Sequence, residues 1–307
     1  MHVLPMVVKL ELCRVLVFLG GLLFAHSGFA KNIVANSCAF ADVQTALWQA
    51  RDGDTLAIPA GVCQWADNSL EIDKEIEIVG RGANTGGTHI IRSVATSAPL
   101  MRFDCLARPL AFKLSGVRFQ GLFNPSLSNA LNDRGVQTIH GCQDFLISNN
   151  VFTGFATGGV DITDNSNNNA RNRGVIAENR FIENFKVGLG YGVTVSSGGR
   201  NNLDISYGSQ NFVFIEDNYF AKNRHAVTSN FDAAYVLRHN LIEDNYPNFT
   251  PVDTHGRTSV DPDDRGGTKI VEIYNNVIQN NDDATYMHQR IMGSGLAFCL
   301  SQQDTHR

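Results

Sequence analysis

LISNNVF at 146–152, VIAENRF at 175–181, FIEDNYF at 214–220, VLRHNLI at 236–242 and EIYNNVI at 272–278 line up without gaps. Their second position is always Ile or Leu, their fifth is always Asn, and their seventh is Phe or Ile. A sixth window, KLSGVRF at 113–119, keeps Leu114 and Phe119 and has Val117 in place of the Asn. Three residues beyond the seventh position a further Asn stands in four of the five copies, at Asn184, Asn223, Asn245 and Asn281. Repeated short apolar segments separated by Asn are the pattern of a solenoid of β-strands, in which like residues stack on like. Asn at the turns can bond to the backbone and to its neighbours in a ladder. An α-helical repeat would need apolar residues at i, i+3, i+4 and i+7 with few Gly or Asn inside, and that pattern is absent.

The ladder positions are 29, 39, 22 and 36 residues apart. The shortest interval is one bare coil, and the longer ones carry loops. After each second Asn comes another alternating segment: VDIT at 160–163, VTVS at 193–196, AVTS at 226–229 and VDTH at 252–255. The extra residues follow that segment, so loops are expected along one flank, with about six or seven coils in all. An open solenoid end needs a cap. Asp42 is the expected N-cap of an amphipathic helix whose apolar side is Val43, Ala46, Leu47 and Ala50. Trp48 is expected to pack in that cap, and Trp65 either to pack there or to serve as a platform for a sugar ring. Gly295–Phe298 could begin another coil close to the last residue, which points to a truncated reading frame or a tail folded over the end.

The N-terminus has the layout of a secretory signal: Lys9 and Arg14, an apolar stretch from Val15 to Ala25, then the small residues of Gly28-Phe29-Ala30. The apolar run is short for a membrane anchor. The expected divisions are a signal at 1–30, a cap and first coil at 31–70, a β-helix at 71–298 and a tail at 299–307. Export to the periplasm or the medium permits disulfides. Cys38 with Cys63 would clip the N-terminal unit and Cys105 with Cys142 would join neighbouring repeats, with Cys299 left over; the spacing alone does not fix these pairings. Charged residues make up only 18% and the net charge is −5, so the basic footprint of a nucleic-acid-binding protein is missing. With 28 Gly and 29 Asn, the chain is suited to many tight turns.

The run VQTALWQARDGDTLAIPAGVCQW at 43–65, with EIEIVGRG at 75–82 and the N-x-[FI] coils that follow, resembles secreted bacterial proteins of the pectin/pectate-lyase-like superfamily. The resemblance covers most of the chain beyond residue 31. It implies an all-β, right-handed parallel β-helix, a single-stranded solenoid with a short capping helix, working as a monomer on a polysaccharide. The superfamily also includes hydrolases, epimerases, tailspikes and adhesins, so it is more specific for fold than for function.

β-Elimination across a uronic acid needs the carboxylate neutralised and a base for the C5 proton. The best-placed residues lie in VDTHGRTSVDPDDRGG at 252–267. Strand alternation puts Asp253 and His255 on one face, with Arg257 and Arg265 flanking them. The Asp-Thr-His triplet is similar to the Asp-Pro-His segment of β-helix mannuronan epimerases. The Pro is replaced here, and Thr250-Pro251 stands where that family has Tyr-Gly. Arg224 and His225 lead into the neighbouring AVTS segment and would border the same cleft, whereas His239 belongs to a turn beside the ladder. Tyr191, Tyr207 and Tyr246 lie in or beside the loops as platforms for sugar rings. Asp161, Asp164 and Asp204 are the candidate ligands for Ca²⁺. Two functions remain open at this level: a lyase or epimerase on an acidic glycan, and a glycan-binding or adhesive β-helix without catalysis.

Overall fold

The computed structural model describes residues 30–122, 132–163, 172–196, 206–243, 249–255 and 267–279, with backbone strands at 290–291 and 300–301. Within them the chain is a right-handed parallel β-helix built from three sheets. One coil shows the plan. Val213–Glu216 lies in a ten-stranded sheet, Tyr219–Ala221 in a second sheet and His225–Asn230 in a third, and Ala234–Arg238 then returns to the first sheet one level on. Every pairing between coils is parallel. The described residues complete eight such coils, more than the six or seven expected. The strand after the last coil is Leu300–Ser301, paired with Ile273 and Tyr274, and residues 295–298 lie outside the described residues.

The recurring window explains the shape. Its second residue points inward from the ten-stranded sheet, so Leu114, Ile147, Ile176, Ile215, Leu237 and Ile273 stack in register in the core. Its fourth residue takes the left-handed conformation, with φ of 58° at Asn149, 57° at Glu178, 55° at Asp217, 57° at His239 and 55° at Asn275. This is the sharp bend between the first and second sheets, and in the sixth window Gly116 fills it. His239 is therefore a turn residue. The fifth residue is the ladder Asn: each Oδ1 accepts from the backbone N–H and the side-chain amide of the Asn one coil earlier, from Asn150 through Asn179, Asn218 and Asn240 to Asn276. The seventh residue builds an aromatic stack in the second sheet, Phe119–Phe152–Phe181–Phe220, with ring centroids 5.2, 5.1 and 4.8 Å apart. The second set of Asn makes a ladder at the next corner, where Asn184 Nδ2 donates to Asn223 Oδ1 at 2.8 Å. Asn245 and Asn281 lie outside the described residues.

The third sheet begins beside this aromatic stack. Gly135, Gly159 and Gly192 stand at equivalent levels there, and a Cβ on Gly159 would come within 2.8 Å of Phe152 Cβ and Phe181 Cδ1. Two successive residues, Gly159 and Val160, thus face the interior, which leaves the level of Gly158, Tyr191 and His225 at the edge of the core. Gly159→Ala is expected to overpack this corner and cost about 1–3 kcal/mol. Urea unfolding at equilibrium measures it, and an unchanged midpoint would show that the rings have room to move.

The helix Phe40–Gln49 closes the N-terminal end, burying Val43, Ala46 and Leu47. Its N-cap is Ala39 rather than Asp42. Asp42 sits in the first turn, where it accepts from Ser37 Oγ at 2.5 Å and complements the helix dipole. The apolar periodicity starts three residues before Val43, at Phe40, which moves the cap outward. Lys74 Nζ donates to Leu47 O and Ala50 O at 2.7 Å, satisfying the other end. Trp65 is buried and donates to Cys38 O, as befits the cap, but Trp48 is 70% exposed on the outer side of the helix. Both disulfides form, Cys38–Cys63 across the cap and Cys105–Cys142 between two successive turns at the third corner. Cys299 and the signal segment through residue 29 lie outside the described residues. Among the described residues no helix is long and apolar enough to cross a membrane.

The insertions leave the solenoid at two corners, contrary to the single flank expected. Some follow the third sheet, as between Ser196 and Val213, and others join the second sheet to the third, as between Ile182 and Tyr191. The third-sheet strands are thereby edged by loops on both sides.

Candidate functional site

The outer face of the third sheet presents one residue per coil in a register column: Glu71, Arg102, Gln137, Asp161, Thr194, Thr228 and Asp253. The N-terminal half of this column is a chain of polar contacts. Arg102 Nη1 donates to Glu71 Oε1 and its Nε donates to Gln137 Oε1, both at 3.1 Å. Gln137 Nε2 and Arg134 Nε then converge on Asp161 Oδ2 at 3.1 and 2.6 Å. These contacts are ion pairs and hydrogen bonds of the Gln137 amide, and burial pushes the Glu71 carboxyl at the far end up against the pull of Arg102.

The column ends differently at Asp253. Val252 and Thr254 face inward, and Asp253 and His255 share the outer side, as the alternation requires. His255 Nε2 lies 2.9 Å from Asp253 Oδ2, and His225 Nε2 lies 3.5 Å from the same oxygen. Side-chain exposure grades outward across the three, 5% for His225, 17% for Asp253 and 37% for His255, so His255 is the member that meets solvent. Arg224 spans Phe249 and Tyr191, its guanidinium 4.8 and 5.8 Å from their ring centroids, and Nη1 donates to the Tyr191 hydroxyl at 3.4 Å. Among the described residues, Arg224 Nε and His225 Nε2 are buried without a hydrogen-bond partner.

The support beneath this cluster is polar and buried. Thr254 Oγ1 bonds the hydroxyl of Tyr235, and Ser229 Oγ bonds Thr268 Oγ1. Burial pushes the Tyr235 phenol up to about 12, so it stays a hydrogen-bonding group that pins the Asp253 strand. Asp253 feels burial, which opposes its charge. The hydrogen bond from His255 and the positive charge of His255, His225 and Arg224 outweigh it and hold the carboxyl below its ordinary value. Burial, with Arg224 and His255, pushes His225 down against the upward pull of Thr250 and Asp253. Burial raises the Tyr191 phenol, which therefore remains protonated near neutral pH.

Of the residues singled out in the sequence, Asp253, His255, His225, Arg224 and Tyr191 come together. Tyr191 opens a strand beside a loop and is only 8% exposed, its ring stacked on His225 with centroids 5.9 Å apart. It is not an open sugar platform, because the two-inward corner tucks it against the sheet. Tyr207 is half exposed beside Gly208, whose N–H donates to Glu272 on the ten-stranded sheet, so it belongs to another face of the solenoid. Arg257, Arg265, Tyr246, Asp164 and Asp204 lie outside the described residues. Asp161 bonds Arg134 and Gln137, and among the described residues no three His, Cys, Asp or Glu side chains gather as metal ligands. Sequence reasoning missed Arg102, Arg134, Gln137, Phe249 and Thr250; their only signal is coil register, which the variable loops conceal.

No protein-family model matches the chain, and no curated protein matches it in sequence. Among solved structures it is similar to an alginate lyase from Paenibacillus sp. strain FPU-7, with a TM-score of 0.50 and 13% identity over 87% of this chain and 95% of that one. Weaker likenesses are to ORF18 of Geobacillus virus E2 (TM-score 0.33, 11% identity, 85% of this chain and 58% of that one) and to a mutant of the PL6 family alginate lyase AlyGC (TM-score 0.28, 10% identity, 90% and 54%). At 13% identity, the first likeness concerns the fold alone: a parallel β-helix.

Proposed function

We propose that the protein is an exported polysaccharide lyase or C5-epimerase acting on a uronate-containing glycan, with Asp253, His255 and Arg224 as its working groups. The observation that carries this reading is the Asp253–His255 pair at 2.9 Å, partly open to solvent and beside an arginine, at the end of a polar column. Asp253 as a carboxylate can only accept, so it fixes the His255 tautomer with hydrogen on Nε2 and the lone pair on Nδ1. His255 Nδ1 takes the C5 proton. Arg224 pairs with the uronate carboxylate and stabilises the negative charge that spreads onto it as the C–H bond breaks. Expulsion of the C4 oxygen, reprotonated by the imidazolium, leaves a C4–C5 double bond; delivery of a proton from water to the opposite face of C5, with the His255 proton released to solvent, instead gives the epimer.

The column from Glu71 to Thr228 offers the rest of the chain a path along the helix axis. Successive strands lie about 4.8 Å apart, so Asp161 stands roughly 14 Å from Asp253. The name of the Paenibacillus relative makes alginate the first substrate to try. The two disulfides support work outside the cytoplasm, in the periplasm or the medium, and we take the active form to be a monomer.

Incubation of the protein with alginate and with pectate, followed by ultraviolet absorbance and by NMR of the C5 position, tests the proposal. A conjugated unsaturated product identifies a lyase and inverted C5 without cleavage identifies an epimerase. Binding of either polymer without turnover would instead favour a glycan-binding β-helix, and neither binding nor turnover would remove the acidic-glycan reading.

A further inference from the structure

The Asp253 carboxylate meets two imidazoles through one oxygen. Oδ2 is 2.9 Å from His255 Nε2 and 3.5 Å from His225 Nε2, the longer separation being within ion-pair reach but outside hydrogen bonding. The fixed hydrogen of His225 is on its other nitrogen. Nδ1 contacts the Thr250 carbonyl, which only accepts, so Nδ1 carries hydrogen whatever the charge of the ring. Neutral His225 therefore turns a bare, buried lone pair toward an anionic oxygen. A proton on Nε2 converts that repulsion into a charge-assisted bond, ordinarily about 2.7–2.9 Å long.

The groups facing His225 come from each element around it. Arg224 precedes it in the chain, Tyr191 stacks on it from the preceding coil, and Asp253 and His255 approach from the following one. Phe249 meets its ring edge-on and Thr250 holds Nδ1. Burial is the largest influence and keeps the ring neutral near neutral pH. Arg224 and His255 act in the same direction, against Thr250 and Asp253.

We propose that His225 is a positioning residue with two settings: neutral, it leaves Asp253 Oδ2 to His255; protonated at Nε2, it draws that oxygen to itself and loosens His255. This rests on the reading of Asp253 and His255 as the proton-handling pair. Protonation of His225, a residue behind the reacting surface, then disturbs the Asp253–His255 pair on acidification before Asp253 itself is protonated.

Histidine-selective ¹⁵N NMR of the full chain without ligand, titrated downward from mildly alkaline pH, tests the switch directly. His225 should show hydrogen on Nδ1 and a bare Nε2, then gain a proton below the ordinary histidine range, with the His255 signals moving in the same step. A proton on Nε2 already at neutral pH, or His255 signals indifferent to the titration of His225, would overturn the proposal. In turnover, His225→Gln keeps a nitrogen or oxygen at the Nε2 position but cannot titrate. The acid limb of kcat should move down by about one pH unit while KM changes less than about threefold. An acid limb unchanged in a folded His225→Gln protein would count equally against it. If alginate and pectate are not turned over, the proposed reaction falls, and the ligand-free NMR titration alone decides the positioning role.

Discussion

Asp253→Asn is expected to lower kcat on the accepted polyuronate by about 10²–10⁴-fold, the range that loss of a proton-handling group or of its orienting carboxylate commonly covers. The substitution preserves shape and leaves Val252 and Thr254 in the core, so unfolding should remain cooperative. What it removes is the charge. His255 now meets an amide that can present either oxygen or nitrogen to Nε2, so its tautomer is no longer fixed, and the imidazolium formed on taking the C5 proton loses its counter-ion. Arg224 is untouched, so KM should stay within about threefold, and the loss should appear in kcat. Steady-state kinetics of the purified variant check this. A kcat within about tenfold of the parent would take Asp253 out of the chemistry.

The contrast with Asp161 shows why one end of the column is the better candidate. Both carboxylates occupy the same outward register, three strands apart. Asp161 is bonded by Arg134 and Gln137, groups that neither gain nor lose protons near neutral pH, so it can orient a sugar but not move a proton. Asp253 is placed between two imidazoles, one buried and one open, with a guanidinium alongside. The electrostatics also make the cluster acid-sensitive. With His225 depressed, the native state binds fewer protons than the unfolded chain between the folded value and about 6.5, so the stability it contributes is complete above that range and is lost as pH falls through the folded value. Asp253 adds a second loss at lower pH, as its carboxylate is protonated below the ordinary Asp range.

The solenoid was readable in the sequence because the recurring window is nearly incompressible. Its seven residues hold an inward aliphatic, a left-handed bend, a ladder Asn and an aromatic stack, and an insertion inside it would break all four. The third sheet has no such protection. Loops enter on both sides of it, so the intervals between its strands vary, and the column from Glu71 to Asp253 cannot be assembled without coordinates. Asp253 and His255 were found because they lie two residues apart, on a strand and just past its end, a local relation. Arg134 with Asp161, or Phe249 and Thr250 against His225, depend on register between coils. The burial of Tyr191 was hidden for the same reason: it stands beside a loop as expected, but the paired inward residues Gly192 and Val193 that tuck it in are understood only once Phe220 is seen beneath Gly192.

Asn218→Ala should cost about 3 kcal/mol or more of global stability, because its side chain serves three coils at once. Nδ2 donates to Ile176 O at 2.8 Å in the preceding coil, to Glu216 O at 2.9 Å in its own and to Asn240 Oδ1 at 3.1 Å in the next. Oδ1 accepts from the backbone and the side-chain amide of Asn179 at 2.9 and 3.1 Å. Asn218 is only 3% exposed, so water cannot replace these partners, and a stranded buried polar group costs about 1–3 kcal/mol. Asn276 is the control. Its Nδ2 donates to Leu237 O and Tyr274 O, but it is only partly buried, so Asn276→Ala should cost about 1 kcal/mol. Urea unfolding with a common m-value measures both. Asn276 also bonds back to the preceding coil, so equal losses at the two positions would mean that the bond Asn218 sends on to Asn240, and its deeper burial, add nothing to the stability of the stack.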